Sequence, residues 1–429
     1  MAETDRIEDF TRHARARAEA LAEGTGPLAV LRAAGRDAFA RAELPGRKTE
    51  SWKYSRVGPL LEEGFLDRPD PSAEPVAVAD FPGLEADRLL LVDGVPRALP
   101  EPGEGMVLRR LAGLAELEGV ELGALAPAEE RPFVALNAAL AEDGVLVHVA
   151  RGVRVERPLE LLLAQGAATA PRGAHPRVLV VLEPGAELTL LERQVGAGTA
   201  FTNAVIEVHV KEGARLDHVR LGLDAGEGRW LTALDVRVDR DGRYGLHQAL
   251  VGSRFRRSEI RVRMAGPGAE ATVGGATLTR DRTHLDTQMS LEHEVAHCTT
   301  DQRFRSIAGE RSRTVLNGRI HIHPQAQQTA AAFDTRNLLL SSGAEIDAKP
   351  ELEIYADDVK CAHGATVGRL DPAGLFYLRS RGLGETEART MLSFAFLGSI
   401  VDAFPLEAVG TAVRADLEAA FARPAEEAS

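Results

Sequence analysis

The sequence predicts a mainly β chain: at its centre a parallel β-helix, a solenoid of stacked short strands, with helical segments on either side. Three observations predict it. Alternating apolar and polar runs fill the stretch from about 145 to 360, as VLVHV (145–149), LELLL (159–163), RVLVVL (177–182), AVIEVHV (204–210), ALDVRV (233–238) and EIRVRM (259–264). Period-2 runs bounded by Gly, Asp or Pro are strand signals. A turn-plus-strand unit recurs as PGAELTLLE at 184, EGARLDHVR at 212, DGRYGLHQA at 241 and PGAEATVGG at 267. Its turn glycines, Gly185, Gly213, Gly242 and Gly268, lie 28, 29 and 26 residues apart; the third unit matches only in part, because Arg243 and Tyr244 follow its glycine where the others have Ala. The composition agrees, with 41 glycines and only 5 % aromatics, which suits short strands and tight turns better than a bulky sandwich core. No segment between the runs has the helical pattern of a βαβ unit.

Four regions follow along the chain. Residues 1–60 form an N-terminal helical segment, with two helices over 1–42 interrupted at Gly24–Pro27. The stretch Pro45–Ser55 (PGRKTESWKYS) reads as a loop pinned to a core by Trp52 and Tyr54, with ligand binding as the alternative. Residues 61–144 are a mixed linking region holding a strand-like piece at Leu89–Val92 and a short helix at Asn137–Asp143. The β-helix occupies 145–360. Residues 361–429 form a C-terminal helical domain. One helix starts at Asp371–Pro372 and ends by Gly382, with Pro in its first turn. A second runs over Glu385–Ala403 with Ala388, Met391, Leu392, Ala395, Phe396 and Ile400 on one face, and a third over Leu406–Ala422. A solenoid must cover its ends, since terminal coils offer edge strands to other chains. The flanking helices are expected to cap one end, and a partner the other. The C-terminal helices read equally as a cap or as a docking surface.

Charge and cysteines narrow the function. The net charge of −13 argues against nucleic acid and anionic membrane as partners, because both need a basic footprint. Two cysteines make no disulfide framework, the first twenty residues lack the apolar run of a signal peptide, and no window approaches about 18 uncharged apolar residues. A cytoplasmic protein is expected.

Several motifs carry candidate chemistry. His293–His297 (HEVAH) matches the zinc peptidase pattern H-E-x-x-H, but that pattern works on a helix. Here the flanks alternate as a strand through Met289, Leu291, His293, Val295 and His297, which would set the histidines about 13 Å apart. The pair His321 and His323 sits at strand spacing and reads as half-exposed surface or as two ligands. Cys298 reads as a buried thiol. P-loop, G-x-S-x-G and paired C-x-x-C motifs are absent from the sequence. Glu345–Asp358 (EIDAKPELEIYADD) is dense in carboxylates, with Glu351, Glu353 and Tyr355 on one strand face and Leu352 and Ile354 on the other; Asp357 and Asp358 hold iron or simply end the strand. Just beyond lie Cys361 and His363. On a strand they share a face, roughly 7 Å apart at Cα. Thiolate and imidazole suit one metal centre, yet two ligands do not close a four-coordinate site. The pair is either a buried turn or half of a functional site.

The C-terminal blocks TVLNGRI (314–320), AQQTAAAFDTRNLLLS (326–341), AEIDAKPELEIYADDVKCAHGATVG (344–368) and LDPAGLFYLRSRG (370–382), with PGRKTESWKYS at the N-terminus, resemble the SufB/SufD family of iron–sulfur cluster assembly scaffolds, and within it the SufD branch. The resemblance implies a right-handed parallel β-helix with helical end domains and a non-catalytic scaffold role. It also implies pairing with a SufB paralogue and a SufC ATPase held by the C-terminal helices at about 370–403. A transient iron–sulfur cluster or iron would form at the heteromeric interface, with no stable cofactor of the chain's own. The family's cluster histidine falls on His363, and Cys361 matches its cysteine. One departure is Ser399, where members often carry a glutamate. The SufB branch tends to carry an N-terminal cysteine cluster, and this chain has no cysteine before Cys298. A homodimer of the isolated chain is expected as well. The competing readings are a SufB-like scaffold, a self-pairing β-helix adaptor, and a β-helix hydrolase or lyase using the carboxylates near 345–358.

Overall fold

A computed structural model describes residues 3–21, 24–67, 74, 76–117, 119–166, 171–196, 198–224 and 226–422; the last seven residues of the C-terminal region expected at 361–429 lie outside them. The chain opens with α1 (Glu3–Ala20) and α2 (Pro27–Arg41), followed by β1 (Asp87–Val92), β2 (Val95–Ala98), β3 (Met106–Arg110) and α3 (Pro132–Leu140). Next come β4 (Gly144–Val149), β5 (Leu159–Ala164), β6 (Gly173–Ala174), β7 (Arg177–Leu182), β8 (Glu187–Val195), β9 (Phe201–Val210) and β10 (Arg215–Gly222). The series continues through β11 (Arg229–Val238), β12 (Arg243–Val251), β13 (Phe255–Met264), β14 (Glu270–Thr279) and β15 (His284–His293). It ends with β16 (Thr299–Ala308), β17 (Arg313–Ile322), β18 (Thr329–Leu339), β19 (Glu345–Ile354) and β20 (Val359–Gly368), before α4 (Pro372–Ser380), α5 (Glu385–Val401) and α6 (Glu407–Ala422).

The strands wind as a parallel β-solenoid of about eight turns. From β8 onward each coil gives one strand to each of two sheets, ordered β2-β1-β5-β8-β10-β12-β14-β16-β18-β20 and β3-β4-β7-β9-β11-β13-β15-β17-β19. The pairing is in register, so one rung of the second sheet runs Ile206, Leu234, Ile260, Met289 and Gly318. Register of this kind stacks inward side chains over one another. The result is a single column from Leu89 and Val145 through Leu216, Val236 and Val262 to Phe333.

The repeated turns have a backbone cause. Gly185, Gly213 and Gly268 adopt φ of +72°, +64° and +77°, where a glycine is unstrained. In the partly matching third unit the left-handed residue is Asp241 (φ +53°), one position before Gly242. The same column continues through His297 (φ +64°) and Gln328 (φ +56°). The amides of Gly185, Gly213, Asp241, His297 and Gln328 bond to the next coil, as with Gly213 N to Arg240 O, His297 N to Gln327 O and Gln328 N to Asp358 O. The coil period is thus more even at this corner than the glycines alone suggest.

Where the structure departs from the sequence reading, packing explains it. The helix expected at Asn137–Asp143 begins at Pro132 instead, because Phe133–Leu140 are buried on every side and leave no periodic signal. The alternation through HEVAH stops at His293, and His297 sits in the corner. The helical segments lie against the flanks of the solenoid rather than across an end. Phe10, Leu31, Phe39, Trp52 and Phe133 pack on Leu179, Phe201, Leu231 and Phe255 of the second sheet. Leu397, Ile400, Val401, Val413 and Leu417 pack on Leu191, Val219, Ala249 and Leu278 of the first. Helix α5 therefore buries Ala388, Ser393, Leu397 and Ile400, while Met391, expected on its packed face, is 51 % exposed. At the first end β1–β2 and β3–β4 pair antiparallel. At the other end β19 and β20 each have a strand on one side only.

Candidate functional site

Cys361 and His363 sit on β20, the last strand of the first sheet. In-register pairing places Cys361 beside Ala331 and His363 beside Phe333. Ala331 and Phe333 belong to the inner column, and partners in a parallel register share a face, so both side chains turn toward the column's open end. Cys361 packs against the column and is half-buried, whereas His363 is exposed because no further coil lies over it. Burial raises the Cys361 thiol above its ordinary range, although a hydrogen bond with the Ala331 backbone lowers it in part. A thiol so placed stays protonated at neutral pH until a metal displaces the proton.

The neighbouring strand completes an unfinished surface. Register sets Pro350 beside Gly318, Leu352 beside Ile320 and Ile354 beside Ile322, so the inward face of β19 is aliphatic. With Val367 of β20, 49 % exposed, these residues give the uncovered end an apolar character. The carboxylates of 345–358 face elsewhere. Asp347 pairs with Arg313 at 2.8 Å, Glu351 with Lys349 at 2.7 Å, and Glu353 with Arg319 at 3.3 Å. Asp357 and Asp358 lie exposed in the corner before β20. Among the described residues no three His, Cys, Asp or Glu side chains come together to hold a metal ion. The Cys361–His363 pair is what this end offers.

The other candidates take ordinary places. His321 and His323 stack on the outer face with ring centroids 4.5 Å apart, and His321 Nδ1 lies 3.1 Å from Glu353. His293 points into the solenoid, with Nε2 3.0 Å from Thr300 Oγ1, and burial holds its pKa down to about 4. Cys298 is fully buried, and burial pushes its thiol up to about 11. The PGRKTESWKYS segment is anchored as its aromatic residues suggested: Trp52 stacks on Phe255, with the Arg257 guanidinium 4.1 Å over its ring. Ser55 Oγ accepts from His284 Nε2 at 2.7 Å and donates to Asp286 at 2.5 Å. The carboxylate thus bonds to the serine rather than to the imidazole, so the trio does not have the triad arrangement in which the acid orients the base.

The C-terminal helices supply a second surface. Asp371 caps α4 by accepting from the amides of Ala373 and Gly374, and Gly382 ends it at φ +97°. Phe376 is 74 % exposed, and Tyr377 and Met391 are exposed as well. Ser399 is exposed on α5. No helix among the described residues is long and apolar enough to cross a membrane.

Sequence reasoning missed a polar cluster inside the solenoid, centred on Glu192 and Arg220. The available signal was a charged residue at inward parity in LTLLERQ and LDHVRLG, following the inward leucines Leu190 and Leu216.

Comparison with known proteins is consistent along the chain. Residues 163–396 match the family described as SUF system FeS cluster assembly, SufBD core domain, and residues 6–161 match the SufBD protein N-terminal region. The chain is 32 % identical over 369 residues to the iron-sulfur cluster assembly protein SufD of Escherichia coli K12, covering 85 % of this chain and 86 % of that one. It is 28 % identical over 414 residues to an iron-sulfur cluster assembly SufBD family protein of Synechocystis, covering 90 % of each. To SufD of Bacillus subtilis it is 26 % identical over 285 residues, 66 % of this chain and 65 % of that one.

Proposed function

The chain belongs to the SufBD family of iron–sulfur cluster assembly proteins, and from that membership we propose that it is a D-type, non-catalytic scaffold subunit working in the cytoplasm. It pairs with a SufB paralogue through its open solenoid end, and the paired subunits receive a nascent cluster at their junction. Iron and sulfide are the cargo of this site. The observation that carries the reading is the inward-facing pair Cys361 and His363 on the final, uncovered coil. Two donors of complementary softness stand where a partner coil would stack, and the ligands they lack come from that partner.

The two donors have different tasks. The His363 imidazole is exposed and offers a nitrogen to iron without first losing a packing contact. Cys361 is half-buried with a raised thiol, so it joins once a metal ion is close enough to displace its proton. The aliphatic rim of β19 excludes water around the pair when the partner docks. A SufC ATPase docks on the C-terminal helices, a reading that the exposed apolar side chains Phe376, Tyr377 and Met391 support. Because α5 and α6 pack on the outer face of β10, β12 and β14, a shift of those helices on ATP binding presses on the solenoid wall. Alone, the same open edges pair with a second copy of the chain.

His363→Ala tests the central claim. In a co-expressed complex the variant should purify with both partners in unchanged proportion, yet carry at least about ten-fold less cluster by absorbance and iron content. An unchanged cluster yield would remove His363 from the assembly site.

A further inference from the structure

The interior of the solenoid is not apolar throughout. On β8, β10 and β12 the residues that alternate with the helix-facing Leu191, Val219 and Ala249 turn inward, and these include Glu192, Arg220 and Gln248. All three are 0 % exposed. Glu192 accepts from Arg220 Nε at 2.9 Å, from His218 Nε2 at 3.0 Å and from Gln194 Nε2 at 2.6 Å. The Tyr244 hydroxyl donates to the other nitrogen of His218 at 3.1 Å. Arg256, from the opposite sheet, donates to Gln194 Oε1 and to Asp224.

This network leaves a specific gap. Both terminal amino groups of Arg220 and both amide atoms of Gln248 find no partner among the described residues, although the two residues are register neighbours. The Trp230 indole N–H and Arg256 Nε are unpaired in the same region of the interior. A buried polar group without a partner costs about 1–3 kcal/mol, and more when charged, so these groups call for one. Its character can be read from the donors. Unpaired N–H groups outnumber the unpaired acceptors, the side-chain carbonyls of Gln248 and, beside Trp230, Gln165. The charge points the same way. Arg256 is paired with Asp224 at 3.0 Å, whereas Arg220 shares Glu192 with His218 and Gln194 and keeps both terminal amino groups unpaired.

We propose that the solenoid interior binds a small monovalent anion of halide size between the Arg220 guanidinium and the Gln248 amide. The anion accepts the orphaned N–H groups of Arg220 and Gln248. It sits behind the wall on which α5 and α6 pack, remote in sequence from Cys361 and His363, and nothing about it depends on the cluster-assembly reading.

The test uses bromide as the probe on the full-length chain. Crystals grown in bromide, measured at the bromine absorption edge, should show an anomalous peak within hydrogen-bonding reach of Arg220 Nη1, Nη2 and Gln248 Nε2. In solution at fixed ionic strength, with gluconate as the counter-ion too large to enter, Tm should climb with the logarithm of bromide concentration. Gln248→Met, nearly isosteric, keeps the Glu192–Arg220 pair and should lose both the peak and the bromide dependence. Density fitted by water alone, or an empty gap, overturns the proposal. So does a wild-type Tm indifferent to bromide, or a Gln248→Met variant that responds to bromide like wild type.

Discussion

Replacing Glu192 by glutamine keeps the shape of the side chain and removes the charge at the centre of the inner cluster. Burial pushes this carboxyl upward, but the Arg220 guanidinium and the His218 and Gln194 hydrogen bonds outweigh it and bring it from 4.5 down to about 2. At about 1.36 kcal/mol per unit, that depression corresponds to about 3 kcal/mol of stability for the ionised form. A separate route gives a similar figure, since removing one partner of a buried ion pair costs about 3–5 kcal/mol. Because the folded pKa lies below the unfolded one, the contribution is complete above about pH 4.5 and is lost as the pH falls toward 2. Urea unfolding followed by circular dichroism checks it. At pH 7 the Glu192→Gln midpoint should fall by about 1 M for a slope of about 3 kcal/mol/M. The gap between the two proteins should then narrow as the buffer is taken from pH 5 to pH 2.5, because the carboxyl of the unfolded chain protonates in that range while the folded one is only beginning to. Equal midpoints at pH 7, or a gap that ignores pH, would refute the claim that an ionised Glu192 organises this interior.

Two further outcomes follow from the thiols and the helices. Native protein treated with iodoacetamide at pH 7 should alkylate slowly at Cys361, faster as the pH passes 9, and at Cys298 only after unfolding; mass spectrometry of the two peptides reads this, and rapid labelling of Cys361 at pH 7 would contradict its raised thiol. Phe376→Glu alters a side chain 74 % exposed, so its unfolding midpoint should stay within about 0.5 kcal/mol of wild type while retention of the ATPase subunit in pull-down falls at least about ten-fold; unchanged retention would move the docking surface elsewhere.

The coils were legible because their strands alternate and their corners use glycine. Gly185, Gly213 and Gly268 announced the period, since φ near +70° suits glycine and strains most other residues. Asp241, His297 and Gln328 take the same conformation without announcing it, so the later coils were recognised from C-terminal blocks instead of from a repeat. Asp and His enter the left-handed region more readily than most side chains, whereas Gln328 is held there by its bond to the next coil. The Cys361–His363 face was readable from spacing alone, because strand parity is strict. Its exposure was not, because that depends on β20 having no strand beyond it. The position of the helices was equally hidden. An apolar face on α5 says that something is covered, and Met391 shows that the face chosen from periodicity need not be the one that packs. The inner polar cluster escaped because a charged residue in a strand ordinarily marks the outer face, and Arg220 stands at inward parity.

The two unpaired strands at the open end also set how stability is distributed along the molecule. In a stack of coils each unit is held by the interfaces it shares with its nearest neighbours. Every inner coil has two such interfaces, and the coil of β19 and β20 has one. It is therefore the first to fray, and it carries Cys361 and His363. On the function proposed above, a docked partner would restore the second interface, and through mass action the ordering of those two side chains would become a function of partner concentration. If Cys361 and His363 are ligands as proposed, they would be held in place only in a molecule already joined to its partner, and free subunits would capture little metal by themselves.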